Sequence, residues 1–179
     1  EIKFCYIARL TYWKRQDLAL DIIAKLKANG FKVSLDIYGK GEEELRIRNR
    51  IIKLNLSDEV SLKGSIPHAQ ISSVLSEYQV ALFLYDASNL GNAMWEAALS
   101  GRLILTRDTG KTTNIFNKRN AIIMSDENTD QVVRDILELV NHNFTLAQES
   151  RRIVHSLLPN WHDRLEEEMR LISCMNLYE

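Results

Sequence analysis

The sequence predicts an α/β protein: one doubly wound parallel sheet, Rossmann-like, with a helical C-terminal tail. Three observations carry the prediction. Short β-rich apolar runs alternate with amphipathic helical patterns as far as residue 140. Only two prolines occur, Pro67 and Pro159, each where a helix would start or stop. Beyond residue 141 the pattern is helical throughout. Strand alternating with helix means parallel strands whose crossover helices cover both faces of the sheet.

The first run, KFCYIAR over 3–9, reads as a strand entered with no cap or approach segment, as expected of a piece cut from a longer protein. QDLALDIIAKLKANG follows as a helix, with Leu18, Ile22 and Leu26 at four-residue spacing and Asn29-Gly30 as its stop. Further strands are expected at 32–38 (KVSLDIY), 59–63 (EVSLK), 79–85 (QVALFLY), 102–106 (RLILT) and 121–124 (AIIM). Helical segments fall at 41–54, 67–77, 91–100 and 128–140. The tail closes in NWHDRLEEEMRLI, an amphipathic helix with Asn160 as N-cap. No Pro/Gly/Ser-rich linker or internal repeat divides the chain, so a single domain over 1–179 is expected.

Composition excludes some functions and leaves others to local sites. Lys plus Arg (23) nearly cancels Asp plus Glu (24), so no electrostatic footprint for nucleic acid or for a membrane surface is present. Cys5 and Cys174 stand near opposite ends in no metal-like spacing, which fits a reduced, cytoplasmic protein with buried thiols. No run approaches the roughly 20 apolar residues that span a bilayer, and the first residues do not read as a charged leader.

In open α/β sheets ligands bind beyond the carboxyl ends of the strands, so the loops there are the candidate sites. Arg9 closes the first strand and Lys14 opens the next helix; two cations across such a turn converge on one anion, helped by the helix N-terminus. Their alternative reading is a pair of solvated surface charges. Gly39-Lys40-Gly41 begins like a dinucleotide fingerprint, but Glu44 replaces the third glycine and three glutamates would repel a pyrophosphate. It reads as a tight turn with a charged helix start. Thr109-Gly110-Lys111-Thr112-Thr113 imitates a phosphate-binding loop but has Leu105 where the leading glycine belongs. It reads as a polar turn, with Thr112 or Thr113 capping a helix that contains Ile115 and Phe116.

The loop SNLGNAMWEA, 88–97, is more informative. Gly91 lets the backbone approach a ligand, and the amides of Leu90, Gly91 and Asn92 would face an anion. Glu96, one turn on among apolar residues, wants a partner, and a sugar diol would serve. The alternative is N-capping by Ser88 or Asn89, with Glu96 meeting only the helix dipole. His68, His142, His155 and His162 form no metal-binding pair and are expected in surface or capping roles. Basic residues in RIRNRIIK, 46–53, read as a solvated helix face.

In order along nearly the whole chain, these loops resemble the C-terminal, nucleotide-sugar-binding domain of GT-B glycosyltransferases, in particular the retaining family 4. Ala8-Arg9-Leu10 with Lys14 matches its first strand end, and Tyr38-Gly39-Lys40-Gly41 its Gly-x-Gly turn. Val60-Ser61-Leu62-Lys63-Gly64 matches its Val-x-Phe-x-Gly strand, and Asn160-Trp161 its tail tryptophan. The family's Glu-x7-Glu motif places its second acid at Glu96, with Ser88 in place of the first and Gly91 in register.

The resemblance implies that Arg9, Lys14 and the Leu90–Asn92 amides hold a donor diphosphate, and that Glu96 binds ribose. It places the base against Gly64 and the Ile66 backbone, and the transferred sugar near Ser88 and Asn89. Arg9, Lys14 and Glu96 would carry catalysis, with no metal or other cofactor; the donor is of UDP or GDP type. The partners implied are a nucleotide sugar and, through an N-terminal acceptor domain absent here, a glycan or lipid. Peripheral association of the whole enzyme with the inner face of the membrane follows from such an acceptor. The chain alone is expected to bind donor without catalysing. Two rivals are a nucleotide-sugar epimerase of the same architecture, whose acids and histidines find no match here, and a regulatory α/β module, which would want acids where Arg9 stands.

Overall fold

The computed structural model describes residues 1–87, 90–125, 127–141 and 145–157. Six strands, β1 (Ile2–Ile7), β2 (Val33–Tyr38), β3 (Val60–Gly64), β4 (Val80–Phe83), β5 (Leu103–Arg107) and β6 (Ile122–Met124), make one sheet. Their order is β3-β2-β1-β4-β5-β6, and every adjacent pair is parallel. Each expected strand is present, and each ends within a residue or two of its expected limits.

The sequence of each strand matches its place in the sheet. β4 (VALF) is buried at every position and β1 (IKFCYI) at all but Lys3, as central strands covered on both faces require. β2 (VSLDIY) alternates buried and half-buried residues, which suits a strand nearer the edge. Around them lie α1 (Gln16–Ala28), α2 (Glu44–Lys53), α3 (Ile71–Leu75), α4 (Asn92–Leu99), α5 (Thr129–Asn141) and α6 (Thr145–Leu157). α1 packs on α2 and α5, while α4 packs on α3 and α6, giving two helical layers with the sheet between. Phe4, Tyr6, Leu35, Phe83 and Phe116 are wholly buried in that core, each worth roughly 1.5–3 kcal/mol of burial. The Cys5 thiol lies there too, and burial pushes it up to about 12, so it behaves as a small hydrophobe.

Chain order fixes where a ligand fits. From β1 the chain winds outward to β2 and β3, then returns to pair β4 with the other side of β1. Loops leaving β1 and β4 therefore part in opposite directions and open a crevice at their carboxyl ends, the topological switch point of the sheet.

Three local expectations are corrected. Lys14 does not open the first helix: it ends a separate 3-10 turn, Tyr12–Lys14, and α1 starts at Gln16 after Arg15 takes a left-handed backbone (φ 52°). The segment 67–77 is shorter than expected, a 3-10 turn at His68–Gln70 leading into α3. Neither Thr112 nor Thr113 caps a helix through Ile115 and Phe116; the chain makes only a 3-10 turn, Thr112–Asn114. Phe116 lies beyond it, wholly buried, with its ring 6.0 Å from that of Trp95. α6 begins the helical tail, whereas the helix expected after Asn160, Trp161, Cys174, His142 and His162 lie outside the described residues.

Candidate functional site

The crevice is built on one buried phenol. Tyr6, near the end of β1, donates its hydroxyl to the Lys14 carbonyl and accepts from the Leu84 amide at 3.1 Å. Burial, more than the neighbouring Tyr85, holds that phenol well above its ordinary value, so it stays a donor. The Asp86 amide also donates to the Trp13 carbonyl at 2.9 Å, and Gln16 Nε2 donates to the Arg9 carbonyl at 2.9 Å. The β1 loop is thus pinned to the exit of β4 by hydrogen bonds from both sides.

That frame presents two cations. The Arg9 guanidinium is exposed and pairs with no described residue. Lys14 is buried, its Nζ 3.9 Å from the Trp13 ring centroid and 3.4 Å from that of Tyr85. Two aromatic faces attract an ammonium but neutralise no charge. Among the described residues no carboxylate pairs it, and burial lowers it to about 8. A buried cation left this way is poised for an anion from outside.

The next residue behaves oppositely. Arg15 is tied to Asp17 (3.1 Å), Asp86 (3.0 Å) and Glu127 (2.6 Å), and Arg107 also donates to Asp86. The Glu127 carboxylate above all, against burial, pushes the Arg15 guanidinium up. Reciprocally the Arg15 hydrogen bond holds Glu127 below the usual carboxylate range. These pairs stabilise the left-handed backbone at Arg15, which costs about 1–2 kcal/mol for a residue with a side chain.

The Gly39-Lys40-Gly41 turn supports the β1 loop from the far side. A Cβ on Gly39 would fall 1.8 Å from the Ala8 carbonyl oxygen, and one on Gly41 2.1 Å from that of Leu10. The Leu10 amide donates to the Lys40 carbonyl at 3.0 Å and the Glu43 amide to the Leu10 carbonyl at 3.1 Å. The glycines are there for backbone against backbone, as a tight turn before a charged helix start. In that helix Arg46 pairs with Glu43, Arg48 with Glu44 and Arg50 with Asp21.

The other wall is the start of α4. Left-handed backbone falls on Leu90 (φ 46°), not on Gly91, which takes an extended conformation as the N-cap of α4. Gly91 supplies no side-chain cap, and the alternative caps were Ser88 and Asn89. Both of those residues, the expected sugar contacts, lie outside the described residues. The first amides of α4 have no intrahelical acceptor and face the crevice with the positive end of the helix. A cavity of about 290 Å³ joins Ile7, Ala8, Arg9, Trp13, Lys14, Tyr85, Gly91, Asn92 and Ala93. Arg9, Lys14, Gly91 and Asn92, far apart in sequence, therefore share one surface.

Glu96 stands one turn further along α4. Its Oε1 lies 2.9 Å from His68 Nε2, and its Oε2 is buried with no partner among the described residues. His68 follows Ile66 by two residues, so this contact sets the acid beside the loop that carries Gly64 (φ 73°) and half-buried Ile66. Sequence reasoning missed His68, because nothing in the chain marks a contact across 28 residues between a 3-10 turn and a helix. It also missed Tyr6, Trp13 and Tyr85 as the housing of Lys14. A larger cavity, about 450 Å³, lies by β6 and α5, lined by Lys118 against Asp135 and Glu138. Its excess of acid is the wrong sign for a phosphate.

The fold thus gathers two cations, a helix N-terminus and one acid around the switch point of the sheet. The family described as "Glycosyl transferases group 1" matches residues 1–154. The chain belongs to that family. It is 28% identical over 154 residues to the "UDP-N-acetylglucosamine--peptide N-acetylglucosaminyltransferase GtfA subunit" of Streptococcus gordonii, covering 83% of this chain and 30% of that one. It is 24% identical over 175 residues to the "Poly(ribitol-phosphate) alpha-N-acetylglucosaminyltransferase" of Staphylococcus aureus, covering 97% and 34%. A crystal structure of a TarM variant of S. aureus, in complex with Fondaparinux, alpha-GlcNAc-glycerol and UDP, superposes with a TM-score of 0.80 at 25% identity, over 96% of this chain and 35% of that one. The group 1 chain thus spans about a third of the length of these relatives. Among its described residues no helix is long and apolar enough to cross a membrane.

Proposed function

We propose that this chain is the C-terminal, donor-binding half of a retaining glycosyltransferase of family 4, which transfers a sugar from a nucleoside-diphosphate sugar to a glycan or lipid-linked acceptor. The observation that carries the reading is Lys14: a buried ammonium against two aromatic faces, with no carboxylate partner among the described residues, sharing a crevice with Arg9 and the N-terminus of α4. Those groups stabilise the charge that develops on the leaving diphosphate, and the Leu90–Asn92 amides complete the cradle. With two cations and a helix terminus in place, the diphosphate needs no metal. In this reading Glu96 accepts from the ribose hydroxyls, the base lies against Gly64 and the Ile66 backbone, and the sugar is assigned to Ser88 and Asn89, which lie outside the described residues.

The relatives' names specify N-acetylglucosamine transfer, which favours UDP as the nucleotide and an N-acetylhexosyl group as the cargo. The acceptor is bound by an N-terminal half, so the enzyme works at a cleft between two domains, cytoplasmic and at the membrane when the acceptor is a lipid. Calorimetry with UDP and GDP tests the donor site. Binding of UDP that falls at least about tenfold in Arg9→Ala and in Glu96→Ala supports it. Equal affinities in all three proteins would remove the site, and no binding of any nucleotide would leave a regulatory α/β module as the better reading.

A further inference from the structure

The acid assigned to ribose is not isolated in this structure; a histidine lies against it. Glu96 Oε1 is 2.9 Å from His68 Nε2, while Oε2 is buried and unpaired among the described residues. A carboxylate offers about four acceptor positions, so positions remain open on this one. His68 is otherwise well exposed, its side chain 75% accessible, and Glu96 is its one partner among the described residues. It stands on the 3-10 turn His68–Gln70, directly after the loop with Gly64 and Ile66, whereas Glu96 stands on α4. The contact therefore joins the base side of the crevice to the ribose side.

We propose that His68 is a positioning residue for donor binding: by its contact with Oε1 it fixes the Glu96 carboxylate with Oε2 turned inward and Oε1 offered to a ribose hydroxyl. The inference rests on the donor-site reading and goes beyond it. Oε2 is buried in the ligand-free chain and the two oxygens turn together about the terminal carboxylate bond, so Oε1, which has acceptor positions beyond the one facing His68, is the oxygen a hydroxyl can reach without breaking that contact. A hydroxyl donating there gains a hydrogen bond to a charged acceptor. With His68 absent the carboxylate has no fixed orientation, and the site loses its means of telling a ribose from a deoxyribose. Phosphate binding, which belongs to Arg9 and Lys14, does not pass through His68.

The test is calorimetry of UDP and 2′-deoxy-UDP with the wild-type chain, His68→Ala and His68→Gln. Wild type is expected to prefer UDP by roughly ten- to a hundredfold, the value of a hydrogen bond to a charged group. His68→Ala should bring the two ligands within about threefold by weakening UDP alone, and His68→Gln, whose amide N–H can stand in for Nε2, should recover most of the preference. Equal weakening of both ligands in His68→Ala, or an unchanged preference, would overturn the role of His68 while leaving the donor site intact. Absence of UDP binding by the wild-type chain would overturn the donor site and this role together.

Discussion

Lys14 is the residue on which binding and stability pull apart. Its ordinary value of 10.5 is lowered to about 8 in the fold, so between those values the unfolded chain holds more protons than the folded one. Stability contributed at this position therefore rises with pH from about 8 to 10.5. The proposed diphosphate binding needs the charged form and runs the other way. UDP affinity is expected to be level below pH 8 and to fall as pH climbs past it, while the melting temperature rises; titration calorimetry and thermal melts at matched pH check both. Lys14→Met should abolish UDP binding yet stabilise the fold by roughly 1–2 kcal/mol, the cost of a buried charge less its attraction to two rings. A destabilised Lys14→Met would mean that the rings, not the diphosphate, are the partner that matters. Tyr6→Phe leaves the Leu84 amide and the Lys14 carbonyl without their shared partner, and chemical denaturation should show a loss of about 1–3 kcal/mol. The Arg9 and Lys14 pair was legible in the sequence because a strand end and the following turn fix their placement. The Trp13 and Tyr85 housing was not, since 72 residues separate those two rings and only the sheet brings them together.

At the scale of elements, the strands were readable and their terminal turns were not. Six apolar runs announce six strands because central parallel strands must be buried on both faces, and no competing pattern has that length and content. The helix QDLAL was placed at its true start, but Lys14 was wrongly joined to it, because Arg15, a residue with no special tolerance for it, takes the left-handed conformation and breaks the chain there, and the ion pairs that support it come from Asp86 and Glu127 in other loops. The same holds at α4, where Leu90 rather than Gly91 bears the positive φ. The Gly39-Lys40-Gly41 turn shows what its glycines are for through a pair of substitutions. Gly30→Ala places a methyl in open space and should cost about 1 kcal/mol for its positive φ alone. Gly39→Ala drives a methyl into the Ala8 carbonyl as well and should cost at least about 2–4 kcal/mol, with UDP affinity falling because the Arg9 loop shifts. Equal costs at the two positions, measured by denaturant unfolding, would show that the turn does not buttress that loop.

For the whole molecule, strand order explains the location of the candidate site. β1 and β4 lie side by side with connections running in opposite directions, so the crevice between their ends is the one place where Arg9, Lys14 and the α4 N-terminus can meet. Since the chain covers about a third of the length of its relatives, we expect it to bind UDP but not to transfer sugar by itself, and a transfer assay with a radiolabelled donor measures that directly. The central claim is that the donor diphosphate sits at this switch point. A crystal structure of the chain with UDP tests it most directly. The account predicts phosphate oxygens within hydrogen-bond reach of Lys14 Nζ, Arg9 and the first amides of α4, with the ribose against Glu96. UDP bound in the cavity beside β6 and α5, or at the crevice with its phosphates turned away from Lys14, would contradict it.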